Sequence, residues 1–187
     1  MKNYWDNGIS FEEYIRIGKE RLENPATQQD AEYKPYYELG IQRMDRTLKK
    51  YVRDEEQLKE LESKNFDGKI LIISEAWCGD ASATVPALVK FFEGHNEVRI
   101  FLRDSDKSLI NQFLTNGTES IPKVIILDHE FNVKNSWGPR PKYGHELLMK
   151  YKADPDGYPK DTFYNDLQLY YAKNRGKDAV QEILDLL

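Results

Sequence analysis

The sequence predicts an α/β domain: a mixed central sheet flanked by helices, with an additional helical layer at the N-terminus. Three observations carry this expectation. Strand-length apolar runs occur only after residue 66, as Ile70-Leu71-Ile72-Ile73, Val98-Arg99-Ile100-Phe101-Leu102 and Lys123-Val124-Ile125-Ile126-Leu127. Residues 1–65 instead repeat their apolar positions at helical spacing. The order β-α-β-α-β-β that follows calls for parallel crossovers first and an antiparallel hairpin last.

Each element has its own local signal. Ser10 with Glu13 forms a capping-box pattern, and Ile9 and Tyr14 stand where a hydrophobic staple would close the first helix. Phe11, Tyr14, Ile15, Gly18 and Leu22 make its stripe, and Asn24-Pro25 ends it. A second helix is expected from near Pro35, with Tyr37, Ile41, Met44, Leu48 and Tyr51 on one face. Asp54 and Gln57 start a third, carrying Leu58 and Leu61, which Asp67-Gly68 closes. This extension reads either as a layer packed on the sheet or as a lid over a site.

Beyond it, a strand at 69–75 leads to a helix at 81–93 and a strand at 98–102. Asp104 or Ser105 is placed to cap a helix reaching Leu114, which Asn116-Gly117 breaks before the strand at 122–127. Asp128-His129-Glu130 supplies a turn to a last strand, Asn132 to Trp137. The C-terminal segment is helical, with Phe163, Leu167, Tyr170 and Tyr171, then Val180, Ile183, Leu184 and Leu187, divided at Asn174-Arg175-Gly176. Residues 1–65 therefore form a helical extension and residues 66–187 the α/β domain.

Chemistry concentrates at Cys78, the single cysteine, in Glu75-Ala76-Trp77-Cys78-Gly79-Asp80-Ala81. The run joins a strand to a helix, so the sulfur is expected, exposed or partly exposed, near the free N–H groups of the helix start. Those donors favour the thiolate, whereas Glu75 and Asp80 would oppose it by like-charge repulsion. The competing reading is a small buried hydrophobe. Trp77 would wall the thiol on one side, and Gly79 would let the turn bend without strain.

The Trp77-Cys78-Gly79 run resembles the redox site of the thioredoxin superfamily, and three further landmarks extend the likeness from Phe66 to Leu187. Pro86, eight residues after Cys78, matches a helix-kinking proline; Pro122, 44 residues after it, matches the cis-proline; Gly138 follows 16 residues later. The resemblance implies a thioredoxin-like fold with a cis Ile121-Pro122 bond facing Cys78. It also implies that the Ile121 backbone pairs with an extended substrate, and that Gly138 lies beside the cysteine. Arg140, held between Pro139 and Pro141, would then reach the thiol or clamp a substrate carboxylate.

The departures define the chemistry. Ala81 replaces the second cysteine, and Ile72 replaces the family's buried acid, so no intramolecular disulfide can form. What the resemblance implies is monothiol exchange at Cys78 with a disulfide-containing protein or low-molecular-weight thiol, resolved by an external thiol. The alternative is a non-catalytic binding module that retains the peptide groove. Trp77, Gly79, Ile121, Pro122, Gly138 and Arg140 are the candidate binding residues under either reading.

Composition narrows the classes further. A net charge of −5 argues against general nucleic-acid binding. Three scattered histidines and one cysteine offer no metal-ligand spacing, and no cofactor motif is present. No apolar run reaches bilayer length, the N-terminus lacks a signal-peptide core, and a lone cysteine suits a reducing cytoplasm.

Overall fold

Ile70 to Ile73, the most apolar run, becomes an inner strand of a four-stranded sheet in the computed structural model, which describes residues 1–187. The strands are β1 (Lys69–Ser74), β2 (Val98–Leu102), β3 (Lys123–Leu127) and β4 (Val133–Trp137). Their order is β2-β1-β3-β4. β1 pairs in parallel with β2 (Ile72 opposite Ile100) and antiparallel with β3 (Ile72 opposite Val124); β3 and β4 form the hairpin. β1 and β3 are apolar almost throughout because both faces are covered, as buried strands require. The fold is α/β and thioredoxin-like, as the sequence implies.

Five helices precede the sheet: α1 (Lys2–Asp6), α2 (Phe11–Glu23), α3 (Gln28–Glu32), α4 (Lys34–Lys50) and α5 (Glu55–Ser63). α1 and α3 are too short to show a periodic stripe and are additions to the expected three. At α2 the Ser10 side chain accepts from the Glu13 N–H, but the Glu13 carboxylate is drawn to Arg16. The capping box is therefore only half made. The box that does close belongs to Thr27 and Asp30 at α3.

α2 and α4 approach the β1 end closely, and glycines make this possible. A Cβ on Gly40 would stand 2.3 Å from the Ala76 carbonyl oxygen, and one on Gly18 would stand 2.8 Å from the Ala76 side chain. The layer thus grips the turn that carries Cys78. Tyr14, Tyr37, Met44 and Leu61 share one continuous core with the strands and with α6 (Ala81–Phe92).

The helix expected from Asp104 to Leu114 does not form; the segment holds only a 3-10 turn at Ile110–Gln112. The pairing explains this. Ser74 lies opposite Leu102 and Ile73 opposite Lys123, so β2 ends and β3 begins at the same edge of the sheet. A connection that need not cross the sheet needs no crossover helix. Asp104 spends its backbone N–H on Glu75 and its carboxylate on Trp77 and Arg103, rather than on a helix start.

At the C-terminus lie α7 (Lys142–Ala153), which no expectation covered, α8 (Lys160–Asn174) and α9 (Lys177–Leu184). The division at Asn174-Arg175-Gly176 is found: Arg175 and Gly176 adopt left-handed backbone with φ of 54° and 84°. Leu147, Tyr158, Phe163, Leu167 and Tyr171 pack into a small second core between α7 and α8.

Candidate functional site

Between β1 and α6 the chain turns through Glu75 to Asp80. Glu75 is fully buried, yet it points away from the thiol: its carboxylate accepts from Arg21 and from the Asp104 N–H, both at 2.8 Å. Burial pushes its pKa up, against those two partners. The expected repulsion of Cys78 by Glu75 is thus replaced by a structural pair with α2.

Cys78 lies in the turn before α6, and only 7% of it is exposed, where at least partial exposure was expected. Its thiol donates to the Ile121 carbonyl at 3.3 Å. Burial, and secondarily the Asp80 charge, push the thiol up to about 12. The backbone N–H groups of Ala81 and Asp80 and the Arg140 guanidinium pull the other way, but burial wins.

Asp80 is the hub of the charges around the sulfur. It is 8% exposed and accepts from Arg140 on one oxygen and from the Tyr171 hydroxyl, at 2.7 Å, on the other. Arg140 therefore sits where its position in the sequence suggested, but it answers Asp80 first and Cys78 through the field. Its Nε has no partner in this cluster.

A pocket of about 510 Å³ opens over the thiol. Tyr33, Tyr36, Leu39, Gly40 and Arg43 from the N-terminal layer form one wall, and Tyr164, Leu167 and Gln168 of α8 the other. Trp77 stacks edge-on against Tyr33, and its indole N–H donates to Asp104. Of the seven expected site residues, Trp77, Cys78, Gly79 and Arg140 line this pocket.

Ile121, Pro122 and Gly138 stand behind it. The Ile121-Pro122 bond is cis, and so is Gly138-Pro139. Both Ile121 and Pro122 are buried, and the Ile121 carbonyl is occupied by the thiol, so the expected open peptide edge is not present at this carbonyl. Gly138 packs on Pro122: at φ 117° its Cβ would come 2.3 Å from the Pro122 carbonyl oxygen. Gly79, by contrast, has no left-handed backbone, and a Cβ there would make only ordinary contacts, with Gln168 at 3.7 Å and Arg43 at 3.8 Å. The turn does not require this glycine. It keeps the pocket floor open.

A model of the family described as Thioredoxin matches residues 26–153, about two thirds of the chain. The chain belongs to the thioredoxin family. The match begins within the helical extension, ahead of the redox landmarks. Among solved structures, this thioredoxin-family chain is similar to PA1234, a protein of unknown function from Pseudomonas aeruginosa, at 19% identity and a TM-score of 0.64, covering 97% of this chain and 92% of that one. It is also similar to an HIV epitope-scaffold named for 4E10, at 19% identity and a TM-score of 0.65, covering 99% and 95%. At such identity these likenesses speak to the fold. No curated protein matches the chain.

Several site residues escaped the sequence reading. In sequence Asp80 shows only a charge that opposes the thiolate, and Tyr171 only a place in an apolar helical stripe. Arg43 had a legible signal: with Arg46 and Lys50 it repeats at helical spacing along α4. Tyr33 and Tyr36, by contrast, belong to the cluster Tyr33, Tyr36 and Tyr37, which in sequence fits a packed layer and a surface above the thiol alike; of the wall tyrosines only Tyr164 carries no signal. No group of three or more His, Cys, Asp or Glu side chains gathers to hold a metal ion, and no helix is long and apolar enough to cross a membrane.

Proposed function

We propose that this thioredoxin-family chain performs monothiol exchange, in which Cys78 forms a mixed disulfide with a disulfide bound in the pocket and an external thiol releases it. One observation carries the reading: the only thiol of the chain lies at the base of a pocket with aromatic walls, between Arg43 and Arg140. Pockets of this size and lining suit small ligands.

The protonated resting thiol sets the character of the activity. Against an ordinary cysteine at 9.0, a pKa of about 12 leaves roughly a thousandfold less thiolate at neutral pH. Each thiolate is intrinsically more nucleophilic by roughly 25-fold, so the net handicap is roughly 40-fold. Holding the disulfide against the sulfur can offset far more than that. The site is thus a poor general nucleophile and a selective one, which reacts with what the pocket retains.

Intact-mass spectrometry after incubation with glutathione disulfide tests this. The expected result is a single adduct on native protein, absent in Cys78→Ser and released by added thiol. An adduct that forms only when urea unfolds the chain would refute it. A second reading, ligand binding without exchange, is favoured by the bond from the thiol to Ile121. It would be the better account if native protein stayed unmodified while Cys78→Ser still bound ligand in the pocket.

A further inference from the structure

A second, smaller pocket of about 110 Å³ adjoins the first, and every charged residue lining it is a cation: Arg43, Arg46 and Lys50 from α4, and Arg175 from the end of α8. In a chain of net charge −5, four cations without an acid stand out. None of the four is in an ion pair; the one acid–base pair of α4 is Lys49 with Asp45. Arg43, Arg46 and Lys50 share one helix face, where like charges repel. Burial pushes the Arg43 pKa down, and Arg46 adds to that. Arg175 is held in a left-handed conformation that glycine or asparagine adopts more readily.

The two pockets are continuous in their lining. Arg43 and Gln168 border both, and they stand over Gly79, next to Cys78. A ligand with one end at the sulfur would lay its other end along the cations.

Resting on the monothiol reading, we infer that the pocket selects low-molecular-weight disulfides whose far end carries at least two negative charges, as phosphate or carboxylate, bound by Arg43, Arg46, Lys50 and Arg175. Guanidinium groups pair with both kinds of oxyanion, and a strip that lacks acids offers them no internal competitor. The exchange balances without further reagents. The Cys78 thiolate attacks one sulfur of the bound disulfide, the new S–S bond forms as the old one breaks, and the leaving thiolate takes up the proton that Cys78 released. A second low-molecular-weight thiol then attacks the mixed disulfide, which restores the Cys78 thiol and yields a disulfide of the two small thiols.

The test compares three disulfides by the rate of adduct formation on the full chain: coenzyme A disulfide (phosphates), glutathione disulfide (carboxylates) and neutral bis(2-hydroxyethyl) disulfide. At least one anionic disulfide should react about tenfold faster than the neutral one at low salt, with the advantage shrinking as ionic strength rises. Which of the two leads identifies the oxyanion. Arg46→Ala with Arg175→Asn, both at exposed positions, should cut the preference to about twofold. Lys49→Ala, whose charge is paired with Asp45 and which lines neither pocket, should keep it.

Calorimetry with pyrophosphate on the reduced protein separates the two ideas. Salt-sensitive binding that the double variant loses supports the anion strip even where no adduct forms, in which case it is the monothiol reading that fails. Equal rates for all three disulfides, with no pyrophosphate binding, overturn the anion inference and leave monothiol exchange standing. Absence of both adduct and binding overturns both.

Discussion

Replacing Asp80 by asparagine isolates the electrostatics of the thiol. Asp80 is the second contributor, after burial, to the rise of the Cys78 pKa from 9.0 to about 12. Its removal deletes the repulsion and frees the Arg140 charge, which already favours the thiolate. Both changes act in the same direction. A fall on the order of one pKa unit is expected, worth about 1.4 kcal/mol of thiolate stabilisation. At neutral pH the thiolate population would rise about tenfold, while each thiolate would lose roughly threefold in nucleophilicity, so alkylation should quicken by about 3- to 4-fold.

The cost is a partly buried arginine without its carboxylate, up to about 3 kcal/mol of stability. Iodoacetamide alkylation followed by intact mass is the assay, and Tyr171→Phe is its control. That variant loses the bond to Asp80 and loosens the same cluster, but keeps the charge. An unchanged rate in Asp80→Asn, or equal acceleration in Tyr171→Phe, would refute the charge argument.

Other variants probe the neighbours. Arg140→Ala should raise the Cys78 pKa further and slow alkylation, whereas Lys142→Ala, at an exposed position of α7, should not; identical pH profiles for the two would assign Arg140 a purely structural part. Gly40→Ala should cost about 2–3 kcal/mol, or roughly 5–10 °C in Tm, because its Cβ would meet backbone at Ala76, whereas Gly79→Ala should stay within about 1 kcal/mol. Comparable melting of these two by differential scanning calorimetry would contradict the packing account. Ala81→Cys, on the first turn of α6, should restore a two-cysteine site, and on oxidation thiol counting should find none free; two persistent thiols would place the positions beyond the ~7 Å reach of a disulfide.

The fold was largely legible because its signals are local. Strand runs, the proline landmarks and the break at Arg175-Gly176 each declare themselves within a few residues. The failed helix at 104–114 shows the limit. Its capping signal was genuine, but Asp104 was claimed by Glu75, Trp77 and Arg103, partners remote in sequence or on the adjoining strand end. The site divides the same way. Cys78 and Trp77 were readable from one short run, and Arg140 from its spacing. The depth of the thiol, the turning of Glu75 toward Arg21 and the walls from α4 and α8 depend on how three distant segments meet. No pattern along the chain encodes that meeting.

The central claim, a thiol kept protonated in the resting pocket, is tested most directly by the pH dependence of Cys78 alkylation in the native wild-type protein. With the thiol pushed up to about 12, its reactive form grows with every unit of alkalinity. The rate should climb about tenfold per unit and still be climbing at about pH 9. A plateau below about pH 8.5 would reveal an activated thiolate in the empty site and contradict the account.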